Sequence, residues 1–157
     1  RETMVDYSIY TNPLTTRYTS KEMQHAFSDE KRFKLWRKLW VALAESQMEL
    51  GLNVTQEQVD ELKQFADDID YDMAAKFERE VRHDVMAHVK AYGAKAQKAM
   101  PIIHLGATSC FVNCNAEAIM LDEALDIVLK KLVNVMDKLK AFASTKNCIY
   151  EKVLYRK

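Results

Sequence analysis

The feature that most constrains the fold is an unbroken run of apolar residues spaced alternately three and four positions apart. Its members are Ala118, Leu121, Leu125, Val128, Leu132, Val135, Leu139 and Phe142. This spacing is the heptad signature of a helix that packs lengthwise against other helices. A helix that begins near Ser109 would extend for roughly 40 to 50 Å, at about 1.5 Å per residue. The earlier segments predict mostly shorter helices, so we expect its partners to come from outside this chain.

The composition favours helix elsewhere as well. The 157 residues include only three glycines and two prolines, and 48% are hydrophobic, which is ample for a core. These values predict an all-α fold, in which an N-terminal helical domain precedes the first long helix of a bundle. We place the boundary within residues 95–101, so that residues 1–97 form the first domain and residues 98–157 begin the second.

Charge and cysteine content exclude several classes of partner. The 23 basic and 23 acidic residues balance, so we expect binding to neither nucleic acid nor an anionic membrane surface. No apolar run approaches the roughly 18 residues that span a bilayer. Cys110, Cys114 and Cys148 match neither a disulfide framework nor a metal knuckle, and we expect the first two to be packing residues. A soluble, cytoplasmic protein with reduced thiols is predicted.

Capping residues divide the first hundred positions into helices. Residues 1–19 show no sustained period and are expected to be extended or loop. Helix starts are predicted after Ser20, Ser28, Thr55 and Asp70. Two acidic residues follow Ser28, and Thr55 to Gln58 has the form of a capping box. Gly51 is expected to end the second of these helices.

The fourth predicted helix runs from Asp70 to Gly93 and contains Arg82, His83 and Asp84 in succession. On one continuous helix these side chains diverge, since each residue advances by about 100 degrees. Two interpretations stay open. The three residues form a solvated face with occasional salt bridges, or a second element turns them toward a ligand. In the second case Arg82 would clamp an anion and His83 would serve hydrogen bonding or proton transfer.

Two further patterns concern the other histidines. His83 and His88 are five positions apart, whereas zinc-binding histidines on one helix are three or four apart, so we expect no metal site. His88 is expected to be a core histidine bonded to a neighbour. In HLGATS, residues 104–109, Gly106 permits a conformation closed to other residues, and Thr108 or Ser109 can cap the next helix. The segment is either an ordinary helix start or an anion cradle, and His104 either a loop residue or part of the same pocket.

Four segments together resemble one enzyme family. They are RYTS (17–20), FSDEKRFKLWRKLWVALAE (27–45), MAAKFEREVRHDVMAHV (73–89) and IIHLGATSCFV (102–112). The family is adenylosuccinate lyase of the animal type, in the fumarase and aspartase superfamily, and the resemblance extends from about Tyr7 to Ala143. RHDVMAHV followed by HLGATSC is specific to this family, whereas the Thr-Ser pair alone indicates only the superfamily.

The resemblance implies a reaction, a site and an assembly. The family eliminates fumarate from adenylosuccinate, giving AMP, and cleaves the succinyl-carboxamide ribotide of purine biosynthesis, without cofactor or metal. Its homotetramer is built on a bundle of long helices, with each active site drawn from three subunits. His83 would hold the substrate and support the neighbouring acid. The substrate contacts carry over to Arg17, Tyr18, Arg82, His83, Asp84, Thr108 and Ser109.

The sequence departs from the family from about Ser144, where it continues STKNCIYEKVLYRK. The family places its general acid in a Thr-His-x-Gln-x-Ala-Gln segment and its serine base in a later Ser-Ser-x-Met-Pro-x-Lys-Arg-Asn-Pro loop, and neither pattern is present. Elimination needs both groups, so we expect a fragment or truncated isoform that is inactive alone. A non-catalytic helical oligomerisation module is the alternative, and RHDVMAH disfavours another superfamily member such as the argininosuccinate enzyme.

Overall fold

The structure, a computed structural model, describes residues 10–145, and these residues form six α-helices and no strand. The predicted all-α class is therefore confirmed. Short helical turns lie at Leu14–Tyr18 (π) and Met100–Ile102 (3-10). The α-helices are α1 (Lys21–Ala26), α2 (Asp29–Glu49), α3 (Gln56–Gln64), α4 (Tyr71–Val81), α5 (Asp84–Lys95) and α6 (Ser109–Thr145).

The capping residues predicted from the sequence start the helices as expected. Ser20, Ser28 and Asp70 each accept a hydrogen bond from the amide three residues later. Thr55 and Gln58 form the complete reciprocal capping box. These side chains satisfy amides that have no partner within the helix, which is why the starts could be read from the sequence.

The extended or loop conformation expected for residues 1–19 does not hold at Leu14–Tyr18, which form the π-helical turn. Asn12 explains the difference, because its side chain accepts from the Leu14 amide at 2.9 Å and its carbonyl accepts from the Thr15 amide at 3.0 Å. Such local hydrogen bonds can start a turn without any apolar periodicity. Residues 1–9 lie outside the described part of the chain.

Contacts divide the described part of the chain into two units, which meet after Met120. The core of the first unit is centred on α2, where Trp36 and Trp40 are each 1% exposed. Trp36 packs edge-on against His88, and Trp40 packs against Tyr92 of the same helix, α5. The core is completed by apolar residues of α3, α5 and the start of α6, among them Val59, Leu62, Val85, Val112 and Ala116.

The single helix predicted from Asp70 to Gly93 is in fact two helices. Arg82 adopts a left-handed conformation with φ 51° and ψ 40°, and His83 is the N-cap of α5. The prediction of one continuous helix is wrong, and directions calculated for a continuous helix do not apply to these side chains. The physical reason is local, because the His83 side chain caps α5 and competes with continuation of α4. The apolar period ran across the break and concealed it.

Gly93 lies inside α5 and does not end it, contrary to the prediction. A Cβ atom at this position would lie 2.6 Å from the Cγ atom of Met100. Glycine therefore allows the chain that follows α5 to return closely over the helix, and the sequence signal reflected packing rather than helix termination.

The long helix α6 spans 37 residues, and the face it buries in the first unit differs from the predicted seam. Val112, Ala116 and Met120 are buried at spacings of four. The seam residues Leu121, Leu125, Val128, Leu132, Val135, Leu139 and Phe142 are each more than half exposed. Every residue from 128 to 145 is exposed. The need for partners from outside the chain stays a prediction, and these exposed leucines are consistent with it.

Two buried ionisable side chains of the core lie among aromatic rings. His88 is 4% exposed, its ring lies 4.0 Å from that of Phe33, and its Nδ1 has no hydrogen-bond partner among the described residues. It is a core histidine as predicted, but it is stacked rather than bonded through Nδ1. The Arg37 guanidinium lies 3.5 Å from the Tyr92 ring centre, while the Tyr92 hydroxyl donates to the Leu62 carbonyl.

Burial controls the protonation of these groups. It lowers the pKa of Arg37 to about 10 and raises the pKa of Tyr92 to about 12. Burial, together with the positive charge of Arg37, lowers the pKa of His88 to about 4. His88 is therefore neutral at pH 7, as its aromatic surroundings require.

We predict that His88 lowers stability at mildly acidic pH. The folded protein keeps this imidazole neutral down to about pH 4, whereas an unfolded chain protonates it near about pH 6.5. The unfolded state binds more protons in this window, so the free energy of unfolding falls as the pH falls. Urea denaturation should show a loss of about 2 kcal/mol from His88 between pH 7 and pH 5.

The variant His88→Phe keeps an aromatic ring beside Phe33 and should remove this contribution. The matched control is His25→Gln, which changes an exposed histidine and should leave the dependence intact. An unchanged pH dependence in His88→Phe would contradict the assignment.

Candidate active site

Arg82 and His83 connect α4 to α5. Together with Asp84, the first residue of α5, they form an exposed corner that we call the elbow. His83 Nδ1 accepts from the Met86 amide at 3.3 Å, and Asp84 Oδ1 accepts from the Val85 amide at 2.7 Å. Because Nδ1 accepts, the imidazole proton lies on Nε2. His83 Nδ1 also lies 3.5 Å from Asp84 Oδ1, so both side chains are anchored at the start of α5.

The backbone of Arg82 is strained. Its φ of 51° lies in the left-handed region, which costs a residue with a Cβ atom roughly 1–2 kcal/mol. The Arg82 amide donates to the Glu78 carbonyl at 2.7 Å, which closes α4, and the His83 cap opens α5 on the other side. Strain at an exposed charged residue, held from both sides, is typical of a functional position.

The loop before α6 contains His104, whose pKa is lowered by burial and, to a smaller extent, by the charge of His83. His104 has a positive φ of 65°, and Gly106 has a φ of 70°, as predicted for the glycine. The α2 helix holds this loop, since Gln47 Nε2 donates to the Leu105 carbonyl at 2.9 Å.

The loop leads directly into α6. Thr108 immediately precedes this helix and Ser109 is its first residue, so both hydroxyls lie at the positive end of a long helix dipole. The amides of the first turn of a helix have no partner within it. Such a helix start binds anions readily, and it lies within five residues of His104.

Arg17 and Tyr18 end the π-helical turn. The Arg17 guanidinium lies 5.3 Å from the centre of the Tyr18 ring, which is a local contact, and Tyr18 is 70% exposed. That these two residues join the elbow and the start of α6 in one site stays a prediction.

The sequence alone does not reveal which side chains hold the loop before α6 in place. For His104 the sequence leaves open a loop residue or part of the pocket, and it does not indicate that Trp40 and Gln47 bond to this loop. No local signal marks them, because their partners lie far away along the chain. The packing role expected for Cys110 and Cys114 is wrong, since both are exposed on α6. Their helix directions differ from that of the buried Val112, and Cys148 lies outside the described residues.

No group of three or more His, Cys, Asp or Glu side chains in residues 10–145 is arranged to hold a metal ion. No helix in that part of the chain is both long enough and apolar enough to cross a membrane.

Known proteins that match the sequence identify its family. No protein-family model matches the chain. Curated proteins named adenylosuccinate lyase match 87% of the chain at 49% identity in Schistosoma mansoni and in Schizosaccharomyces pombe, and 89% at 49% identity in Saccharomyces cerevisiae. The chain in turn spans 28%, 29% and 30% of the length of these relatives.

These matches assign the chain to a lyase family, consistent with its all-helical fold. The chain belongs to the adenylosuccinate lyase family, and the resemblance predicted from its four motifs is confirmed. The chain covers less than a third of its relatives' length, so the activity of the whole enzyme does not follow from the match alone.

We predict that Arg82→Gly increases the stability of the chain. Glycine relieves the left-handed strain and loses part of that gain to the entropy of the unfolded chain, leaving about 0.5 to 1 kcal/mol. Arg79→Gly, inside α4, is the matched control and should instead cost about 1 kcal/mol. Urea denaturation measures both, and equal destabilisation by the two changes would show that the left-handed backbone is not strained.

Proposed function

We propose that this chain forms the N-terminal part of an adenylosuccinate lyase. The enzyme eliminates fumarate from adenylosuccinate, giving AMP, and from the succinyl-carboxamide ribotide of purine biosynthesis. The observation that carries the proposal is the 49% identity to curated relatives over 87% of the chain. The exposed Arg82–Asp84 elbow, the start of α6 at Thr108 and Ser109, and the lowering of the His104 pKa by His83 support it.

Each proposed contact suits a substrate with a phosphate and two carboxylates. The Arg82 guanidinium offers paired donors to one carboxylate or phosphate. The start of α6, with Thr108 and Ser109, offers amides, hydroxyls and the helix dipole to another anionic group. Arg17 and Tyr18 extend the site, and no cofactor or metal is required.

The reaction breaks a C–N bond as a base removes the proton from Cβ and an acid protonates the departing amine. Negative charge builds on the succinyl carboxylate as the Cβ proton leaves, so positioned donors lower the barrier. His83 fits a supporting role, because its Nδ1 accepts from the Met86 amide and its proton lies on Nε2. It would orient the substrate and the neighbouring acid, while Asp84 completes the polar set of the elbow.

We propose that copies assemble as a homotetramer through the seam of α6, with residues 98 onward beginning the central bundle domain, in the cytoplasm. The support is the row of seam side chains that are more than half exposed, from Leu121 to Phe142. Exposed apolar surface of this extent marks an interaction site. The same observation favours the alternative function, a non-catalytic oligomerisation module.

We predict that the purified 157-residue chain has no measurable lyase activity. The residues assigned here bind substrate, whereas the family's acid and base come from segments that this sequence does not resemble. Ultraviolet absorbance of released fumarate measures the reaction, with the Saccharomyces cerevisiae relative as positive control. Turnover at an ordinary enzymatic rate would show that the chain supplies its own acid and base.

A chimera separates the two candidate functions. The segment of the Saccharomyces cerevisiae enzyme that matches this chain is replaced by the corresponding residues of this chain. If the site is correct, Arg82→Ala or Ser109→Ala lowers kcat/KM by about 100-fold without changing the oligomeric mass. The matched control Arg79→Ala, on the neighbouring helix, leaves activity unchanged.

The alternative function predicts the opposite pattern in the same chimera. Leu125→Asp or Leu132→Asp would disrupt assembly, whereas Arg82→Ala and Ser109→Ala would change neither assembly nor activity. Full activity in both Arg82→Ala and Ser109→Ala would refute the proposed substrate site.

A further inference from the structure

One side-chain hydrogen bond links the core of the first unit to the candidate site across 64 positions of sequence. The Trp40 indole Nε1–H donates to His104 Nδ1 at 3.0 Å. The two rings meet edge-on, with centres 6.0 Å apart and planes at 87°. Trp40 is 1% exposed, so the donor approaches from the protein interior and competes little with water.

This bond fixes where His104 carries its proton. A neutral imidazole has one N–H, and a nitrogen that accepts a hydrogen bond cannot be the protonated one. With Nδ1 accepting from Trp40, the proton lies on Nε2. Forming the imidazolium would place a second N–H on Nδ1, directly against the indole N–H, and the bond would be lost. Burial and the neighbouring His83 lower the pKa of His104 in the same direction.

The backbone around His104 is held from the same helix. Gln47 lies seven residues after Trp40 on α2, two turns further along the same face, and its amide donates to the Leu105 carbonyl. Consecutive residues of the loop are thus tied to α2, one through its side chain and one through its backbone. The positive φ of His104 is maintained by these contacts, since a residue with a Cβ atom rarely adopts it unaided.

Trp36 shows that an indole buried on this face of the helix need not form a hydrogen bond through its N–H. It lies one turn before Trp40 and is equally buried at 1% exposure. Its Nε1 has no hydrogen-bond partner among the described residues. The two tryptophans therefore lie on the same helix, are equally buried and both pack in the core. They differ in that only the Trp40 indole N–H donates a hydrogen bond to a histidine.

We propose that Trp40 is a positioning residue that locks His104 in the neutral Nε2–H tautomer, so that His104 presents a single hydrogen-bond donor from the loop before α6. A neutral donor of this kind suits an anionic or carbonyl oxygen of the substrate. That use of the donor rests on the proposed function, whereas the tautomer depends only on the contact.

The test is nitrogen-15 NMR of the histidine rings in the 157-residue chain, in the wild type, Trp40→Phe and Trp36→Phe. In the wild type, His104 Nδ1 should be unprotonated at neutral pH and coupled to an indole proton. Trp40→Phe keeps an aromatic ring and removes the donor. It should therefore lose that coupling, let the proton populate Nδ1 and raise the pKa of His104 toward its ordinary value.

Trp36→Phe removes an equally buried indole N–H and should change neither the tautomer nor the pKa of His104, which separates positioning from packing. A protonated Nδ1 in the wild type, or an unchanged tautomer and pKa in Trp40→Phe, overturns the proposal. The wild-type spectrum alone decides the first point if Trp40→Phe does not fold. Failure of the lyase function would appear in the chimera and would leave these spectra unaltered, so the two failures are distinguishable.

Discussion

The burial of Trp36 and Trp40 against α5 is the interaction on which the rest of the first unit depends. An indole of this kind removes 150–250 Å² from water, or about 4 to 6 kcal/mol of hydrophobic free energy for each side chain. Their rings contact His88 and Tyr92, which fixes α5 and therefore the elbow at its start. Trp40 also donates to His104, so one face of α2 positions both segments of the candidate site, the elbow and the loop before α6.

The site lies where local preference and regular structure conflict. A continuous helix through Arg82 would satisfy the apolar period, yet the chain accepts a left-handed residue there and a second one at His104. Natural sequences break local rules mainly at functional positions, where the surrounding structure offsets the cost. At the elbow that support is the His83 cap, and at the loop it is the pair of hydrogen bonds from α2.

The starts of α1 to α4 followed from the sequence because a cap is a local event. Ser28, Thr55 and Asp70 act on amides three residues away, so the whole interaction lies within one window of sequence. The face of α6 that is buried in the first unit did not follow from the sequence. Its heptad period was correct as a pattern, but the core of the first unit takes Val112 and Ala116 from a different side. The spacing of apolar residues does not show which of two apolar faces a neighbouring helix packs against.

The sequence by itself determined the all-α class, the starts of α1 to α4, the family and the residue types of the elbow and the HLGATS loop, because each rests on short-range chemistry or on a motif. Only the tertiary structure decided that α4 and α5 separate at Arg82 and that Trp40 holds His104. These facts join residues separated by up to 64 positions. The free energy that joins them comes from packing the core, which no local pattern encodes.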